Sequence, residues 1–328
     1  MNINIFKSIV LLVTAFLFVS CRTTDLSLRA SHPEEFIRIP SGTYARGDHK
    51  NEPASWMARA RPVHEVYVNE FFIAETPVTY EQWRAVYEWA VENGYGFGNS
   101  GQRGSDADYN GLPDTQENSR HPVVHINWYD MVKWCNARSE MEGLTPVYYT
   151  SSSKASGDLY RAGRHDVSND QVRWEANGYR LPTEAEWEKA ARGGLHEKRW
   201  PWGDEPIDGT RANYGENEIG TTPVGSFPPN GYRIYDMAGN VWEWCWDWWD
   251  ANWYSKAGAT EPDTRGPDWY SKPAATQPDT RGRDWSAFRI VRGGSWRHDP
   301  GFCRVAGRDA TTPRNSSSTR GFRLARTE

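Results

Sequence analysis

The segment Phe36-Ile-Arg-Ile-Pro-Ser-Gly-Thr-Tyr44 alternates apolar and polar residues and then turns, which predicts a strand. A second strand is predicted over Val66-Tyr-Val-Asn-Glu-Phe-Phe-Ile73. It runs into Thr76-Pro-Val-Thr79, where Thr79 and Gln82 have the spacing of a capping box. That predicts a helix to about Ala90. Residues 93–120 are rich in Gly, Asn, Asp and Ser and predict a long loop. Asn127 is placed to cap an amphipathic helix over Trp128–Met141, closed by Gly143. Thr183 and Glu186 form another capping box, and the helix they start runs through Ala191 to a stop at Gly193-Gly194.

The first residues follow a different pattern. Lys7 precedes an apolar run from Ile9 to Val19, too short for a comfortable membrane span but suited to a secretory leader. Phe18-Val-Ser-Cys21 resembles a bacterial lipobox. On that reading residues 1–20 are removed and Cys21 carries the lipid; the alternative is an ordinary signal peptide with an incidental cysteine. Residues 22–34 are polar and aperiodic, so 21–34 is expected to be a tether to the membrane. The expected address is the bacterial envelope, on the outer membrane with the domain displayed at the surface.

Composition changes the picture in two ways. Among 328 residues there are 18 Trp, 29 Gly and 20 Pro, which points to a loop-rich fold pinned by large rings. The net charge is −5 with no run of Lys or Arg, which excludes an electrostatic nucleic-acid binder. Beyond Cys21 only Cys135, Cys245 and Cys303 remain, so this is no disulfide scaffold, and no spacing supports zinc. Cys135 and Cys245 read as small buried hydrophobes. Residues 254–269 and 270–285 are a tandem duplication with 12 of 16 positions identical, rich in Pro, Asp, Thr and Gly. An inserted surface loop is expected there.

The order of motifs is informative. Phe36-Ile-Arg-Ile-Pro-Ser-Gly-Thr-Tyr44 is followed by Ala74-Glu-Thr-Pro-Val-Thr-Tyr-Glu-Gln-Trp83 and His121-Pro-Val-Val-His-Ile-Asn-Trp128. Then come Tyr179-Arg-Leu-Pro-Thr-Glu-Ala-Glu-Trp-Glu188, Trp200-Pro-Trp-Gly203, Gly239-Asn-Val-Trp-Glu-Trp244, Arg292-Gly-Gly-Ser-Trp296 and Gly321-Phe-Arg323. From about residue 35 to the end, the chain resembles the formylglycine-generating enzyme (sulfatase-modifying factor) family. The resemblance implies a single α+β domain of C-type-lectin-like fold with few regular elements.

Fold does not settle function. The family's enzymes hold copper(I) on two cysteines; the second matches Cys303, but the first falls on His298. The resemblance therefore implies that copper is not bound and that the chain is not an enzyme. It also implies a calcium site with carboxylates from Asp236 and Glu243 and backbone carbonyls from Gly239 and Val241. The alternative is that Asp236 caps a turn and Glu243 pairs with an arginine. A second family calcium site would use Asn213, but its partner Asp is missing.

One branch fits the C-terminal end more closely. The variable proteins of diversity-generating retroelements, which include a lipid-anchored treponemal member, carry a template that resembles Arg292–Trp296, Cys303-Arg-Val-Ala306, Arg308, Pro313 and Gly321-Phe-Arg-Leu-Ala325. The resemblance implies a variable region over 292–325. Its ligand-binding positions would be Arg297, His298, Asp299, Gly301, Phe302, Gly307, Asp309, Ala310, Thr311, Thr312, Arg314, Asn315, Ser317, Ser318 and Thr319. Randomised AAC codons cannot encode Lys, Glu, Gln, Met or Trp. None of these five types occurs at the fifteen positions, an absence that chance alone would give about one time in twenty. A plain polar loop is the alternative. The leading expectation is a surface lipoprotein that binds a protein or glycan through this segment, with Arg297, His298, Phe302 and Arg314 as anchors. Two rivals stand beside it: a copper-dependent oxidase using Cys303, and a structural lipoprotein of an envelope machine.

Overall fold

The computed structural model describes residues 36–104, 120–218, 220–256 and 286–328. The leader, Cys21, the tether, most of the 93–120 loop and nearly all of the duplicated insertion lie outside the described residues.

Two strands predicted as single elements each divide. Phe36–Tyr44 becomes β1 (Phe36–Ile39) and β2 (Gly42–Arg46), separated at Pro40, which has no N–H to give a ladder. The second becomes β3 (His64–Val68) and β4 (Phe71–Ala74). The cause is parity. Val66 and Val68 are buried, and so are Phe71 and Ile73. One continuous strand would send the two sets to opposite faces. β2 pairs with β3, while β4 pairs with β1 on one side and with the terminal β11 (Ala325–Arg326) on the other. Both ends of the described domain therefore meet on β4.

The helices match their caps. Thr79 Oγ1 accepts the Gln82 N–H at 3.2 Å, and Gln82 Oε1 accepts the Thr79 N–H at 2.8 Å. The helix they start, α1 (Tyr80–Glu92), is two residues longer than expected. Asn127 caps α2 (Trp128–Met141), and Thr183 with Glu186 caps α3 (Glu184–Arg192), which ends on the left-handed Gly193. The expectation that α2 is amphipathic is corrected: eleven of its fourteen residues are buried. Its polar side chains hold the loops that wrap it. Asn136 Oδ1 accepts the N–H groups of Val147 and Tyr148, and the Lys133 ammonium donates to the carbonyls of Gly96 and Gly163.

Two short strands, β5 (Gln102–Arg103) and β6 (Val123–Val124), pair with each other, and the sheet that carries the C-terminal segment runs β10-β7-β8-β9, comprising β7 (Trp242–Trp248), β8 (Arg289–Arg292), β9 (Arg308–Thr311) and β10 (Arg320–Gly321). Every residue of β7 is buried, and strand alternation gives its two faces different tasks. Trp242, Trp244 and Trp246 join the core around α1 and α2. Glu243, Cys245 and Asp247 alternate with them. Cys245 packs with Ala185 and Trp187 of α3, and Asp247 accepts the Glu184 N–H at 2.6 Å at the start of that helix.

Candidate functional site

Segment 292–325 is a set of turns tied down at intervals. Arg308 holds Glu184 side-on, Nε to Oε1 at 2.7 Å and Nη2 to Oε2 at 2.8 Å. Arg292 donates to Glu188 at 2.7 Å, and Arg323 grips Glu243 through Nε at 2.6 Å and Nη2 at 2.7 Å. All six side chains are essentially unexposed. Gly293 and Gly294 turn the chain with φ of 93° and 75°. A Cβ on Gly294 would sit 2.6 Å from Cys303 Sγ, so no larger residue fits. Phe322 meets the rings of Trp83 and Trp134 edge-on. The backbone between these anchors is pinned as well: Pro313 and Ser317 carbonyls accept the N–H groups of Trp128 and His125.

The fifteen positions singled out from the sequence fall mostly between the anchors. Arg297, Asp299, Thr312 and Arg314 are exposed. His298, Gly301, Phe302, Asp309, Ala310, Thr311, Asn315, Ser317 and Ser318 are partly exposed. Gly307 and Thr319 are buried and do not face outward. A Cβ on Gly307 would lie 2.8 Å from the Phe302 carbonyl oxygen, so that position belongs to the frame.

The sequence missed several neighbours of this face. Trp56, on a 3-10 turn over Ser55–Ala60, stacks on Phe302 with ring centroids 4.4 Å apart. Arg59 of the same turn pairs with Asp309 at 3.3 Å, and Glu216 pairs with Arg297 at 3.3 Å. A partly exposed Trp in the polar run Asn51-Glu-Pro-Ala-Ser-Trp56 was the available signal.

Cys303 is a buried thiol among small and aromatic side chains. The side chain is fully buried beside Trp200, Ala212 and Ala238, and burial pushes its pKa up to about 12. The His298 imidazole is tied to the frame. Its Nδ1 accepts the Trp242 indole N–H at 3.2 Å and lies 2.6 Å from Ser295 Oγ. An indole N–H only donates, so Nδ1 is unprotonated and Nε2 carries the hydrogen. Burial lowers the pKa of His298, with a further push from Arg320.

At the calcium segment the residues fit through Asp236. One carboxylate oxygen accepts the Gly225 N–H at 2.8 Å, while the other, Oδ1, is buried with no partner. Burial raises this carboxyl to about 6. Glu243 does pair with an arginine: Arg323 and the Trp187 indole N–H occupy both its oxygens. A calcium ion at this segment would be held through Asp236 Oδ1. Gly239 has φ of 80°, and its missing Cβ would lie 2.2 Å from the Asn213 carbonyl oxygen, so this turn requires glycine. Val241 is buried beside it. Among the described residues no group of three or more His, Cys, Asp or Glu is placed to hold a metal.

Comparison with known proteins agrees with this geometry. The sulfatase-modifying factor enzyme 1-like domain model matches residues 23–328. A formylglycine-generating enzyme of Streptomyces coelicolor is 33% identical over 322 residues, covering 88% of each chain. The enzyme of Thermomonospora curvata is 35% identical over 222 residues; the match covers 62% of this chain and about half, 55%, of that enzyme's length. Among solved structures, Treponema denticola variable protein 1 superposes with a TM-score of 0.66 at 29% identity, over 90% of this chain and 95% of that one. The fold is thus the loop-rich α+β, C-type-lectin-like fold of these proteins, and the chain belongs to the formylglycine-generating enzyme (sulfatase-modifying factor) family.

Proposed function

We propose that this protein is a lipid-anchored surface protein that binds a macromolecular ligand through residues 297–319, and that it is not a catalyst. One observation carries the reading: buried anchors alternate with outward-facing side chains along a single segment. Arg292, Cys303, Arg308 and Phe322 are buried, whereas Arg297, Asp299, Thr312 and Arg314 are exposed. A rigid frame with replaceable side chains between its fixed points is what a diversified binding surface needs. Two surface cavities, of about 200 Å³ beside Tyr44 and Lys189 and about 560 Å³ beside Asp48 and Arg61, have no residue of this segment in their lining.

The similarity to formylglycine-generating enzymes keeps the oxidase as the rival. Copper(I) binding and oxygen consumption with a cysteine-containing peptide separate the two. The binding reading expects neither. Copper held at Cys303 with turnover of the peptide would reverse it. A DNA copy of the segment that differs only at adenines, near a reverse transcriptase, would support the diversified reading independently.

A further inference from the structure

Among the positions read as replaceable, Gly301 and Gly307 carry glycine, and they differ in what a side chain there would meet. At Gly307 the obstacle is backbone, the Phe302 carbonyl oxygen. At Gly301 it is a single side chain. A Cβ on Gly301 would lie 2.7 Å from Cζ2 and 3.2 Å from Cη2 of Trp56. Carbon atoms rest at about 3.5–4.0 Å, so a side chain at 301 and the indole cannot both stand there. The backbone raises no objection of its own, because Gly301 lies outside the left-handed region that favours glycine.

Trp56 belongs to the 3-10 turn Ser55–Ala60, and that turn repeats the pattern of the segment it faces. Its backbone is held by the frame. The Arg59 carbonyl accepts from Arg308 Nη1 at 2.9 Å, and Met57 and Ala60 are buried with Ala306 and Tyr254. Its two long outward side chains reach replaceable positions. Arg59 pairs with Asp309, and the indole of Trp56 stacks on Phe302 at an interplanar angle of 18°. Gly301 cannot retreat. It lies in the 3-10 turn Pro300–Cys303, and Cys303 is packed so closely on Gly294 that a Cβ there would sit 2.6 Å from the sulfur. Trp56 is partly exposed, and its ring can swing between staggered rotamers.

We propose that Trp56 is a fixed member of the binding face and that residue 301 positions it. Glycine admits the indole over Phe302; any side chain at 301 turns it outward. One replaceable position thereby selects between two placements of a residue that lies outside the replaceable set. The proposal deepens the binding reading given above and rests on it. Trp is among the residues that dominate binding hot spots, so moving it changes specificity more than the added side chain does by itself.

The test uses the full chain labelled with fluorinated tryptophan, the Trp56 line being assigned by its loss in Trp56→Phe. Gly301→Ala and Gly301→Ser should each move that line and make it more strongly broadened by a soluble gadolinium chelate, with a melting temperature near the parent's. A line that stays put overturns the proposal. So does a Gly301→Ala chain that melts far below the parent, because the indole would then not yield. Capture of intact cells and purified matrix proteins supplies the functional arm. Trp56→Ala and Gly301→Ser should each weaken capture by about tenfold or more. The double variant should be no weaker than the poorer single one, since both act through one contact. Additive losses would defeat the coupling. If Trp56→Ala captures like the parent while Arg297→Ala or Arg314→Ala does not, Trp56 leaves the face and the face stands. Silence at all of these positions, or a parent that captures nothing, defeats both.

Discussion

The indole N–H of Trp242 donates to Nδ1 of His298 across 3.2 Å. The two rings meet at 80°. This contact ties an outward-lying histidine to the buried strand β7 and requires the imidazole to stay neutral.

That requirement has a pH signature. His298 has a folded pKa below its ordinary value, so the unfolded chain takes up the proton first. Its contribution is nil well above the unfolded pKa and becomes destabilising as pH falls through and below it. The melting-temperature gap between the parent and His298→Asn should move against the parent from about pH 7 to about pH 5.5, and stay constant above that range. A gap independent of pH would mean that the imidazole is not held neutral.

Asp236 has the opposite sign. Its carboxyl is raised to about 6 by burial, so its ionised form costs stability above that pH and the cost is relieved as pH falls through it. In chelator at neutral pH, Asp236→Asn should be stabilised by roughly 2–3 kcal/mol, since each tenfold change in proton affinity between the folded and unfolded chains is worth about 1.4 kcal/mol. Asn also tolerates the left-handed backbone found there, φ 56°. Calcium should raise the melting temperature of the parent and not of the variant. A parent indifferent to both calcium and chelator would dismiss the ion.

Cys303 should behave as a core residue. At neutral pH the folded chain's Cys135, Cys245 and Cys303 should resist iodoacetamide until it is unfolded, because all three are buried. Rapid, selective labelling of Cys303 would show a reactive thiol and revive the oxidase.

The anchor is tested separately. Cys21→Ala should abolish partition into a detergent phase and leave an unprocessed or soluble chain. Unaltered partition would place the anchor elsewhere.

Helix starts were the most legible feature of the sequence, because a capping box is a local signal between Thr79 and Gln82 or Thr183 and Glu186. The strands were less so. The parity change between Val68 and Phe71 was visible, but the two halves pair with partners far apart in the chain. Long-range chemistry was illegible. Nothing local says that Glu243 meets Arg323 eighty residues later, or that Trp56 and Arg59 border a face built by residues 297–320. Of the anchors chosen for binding, Arg297, Phe302 and Arg314 lie at the surface, while His298 is half tied to the frame through Trp242. A match to the family's motifs gives a position and not its hydrogen bonds.

The central claim is that one segment contains two classes of residue. A substitution scan of positions 296–322, read by thermal melting and by binding to a panel of intact cells and matrix proteins, tests it directly. Replacing the exposed Arg297 or Arg314 with Ala should shift stability by no more than about half a kcal/mol. The same changes should weaken binding by about 2 kcal/mol or more. Replacing Gly294, Trp296 or Phe322 should instead damage the fold, for these side chains and the glycine are buried. If the outward-facing class melts as badly as the buried class, or leaves binding untouched, those side chains belong to the core or to nothing, and the binding face does not exist.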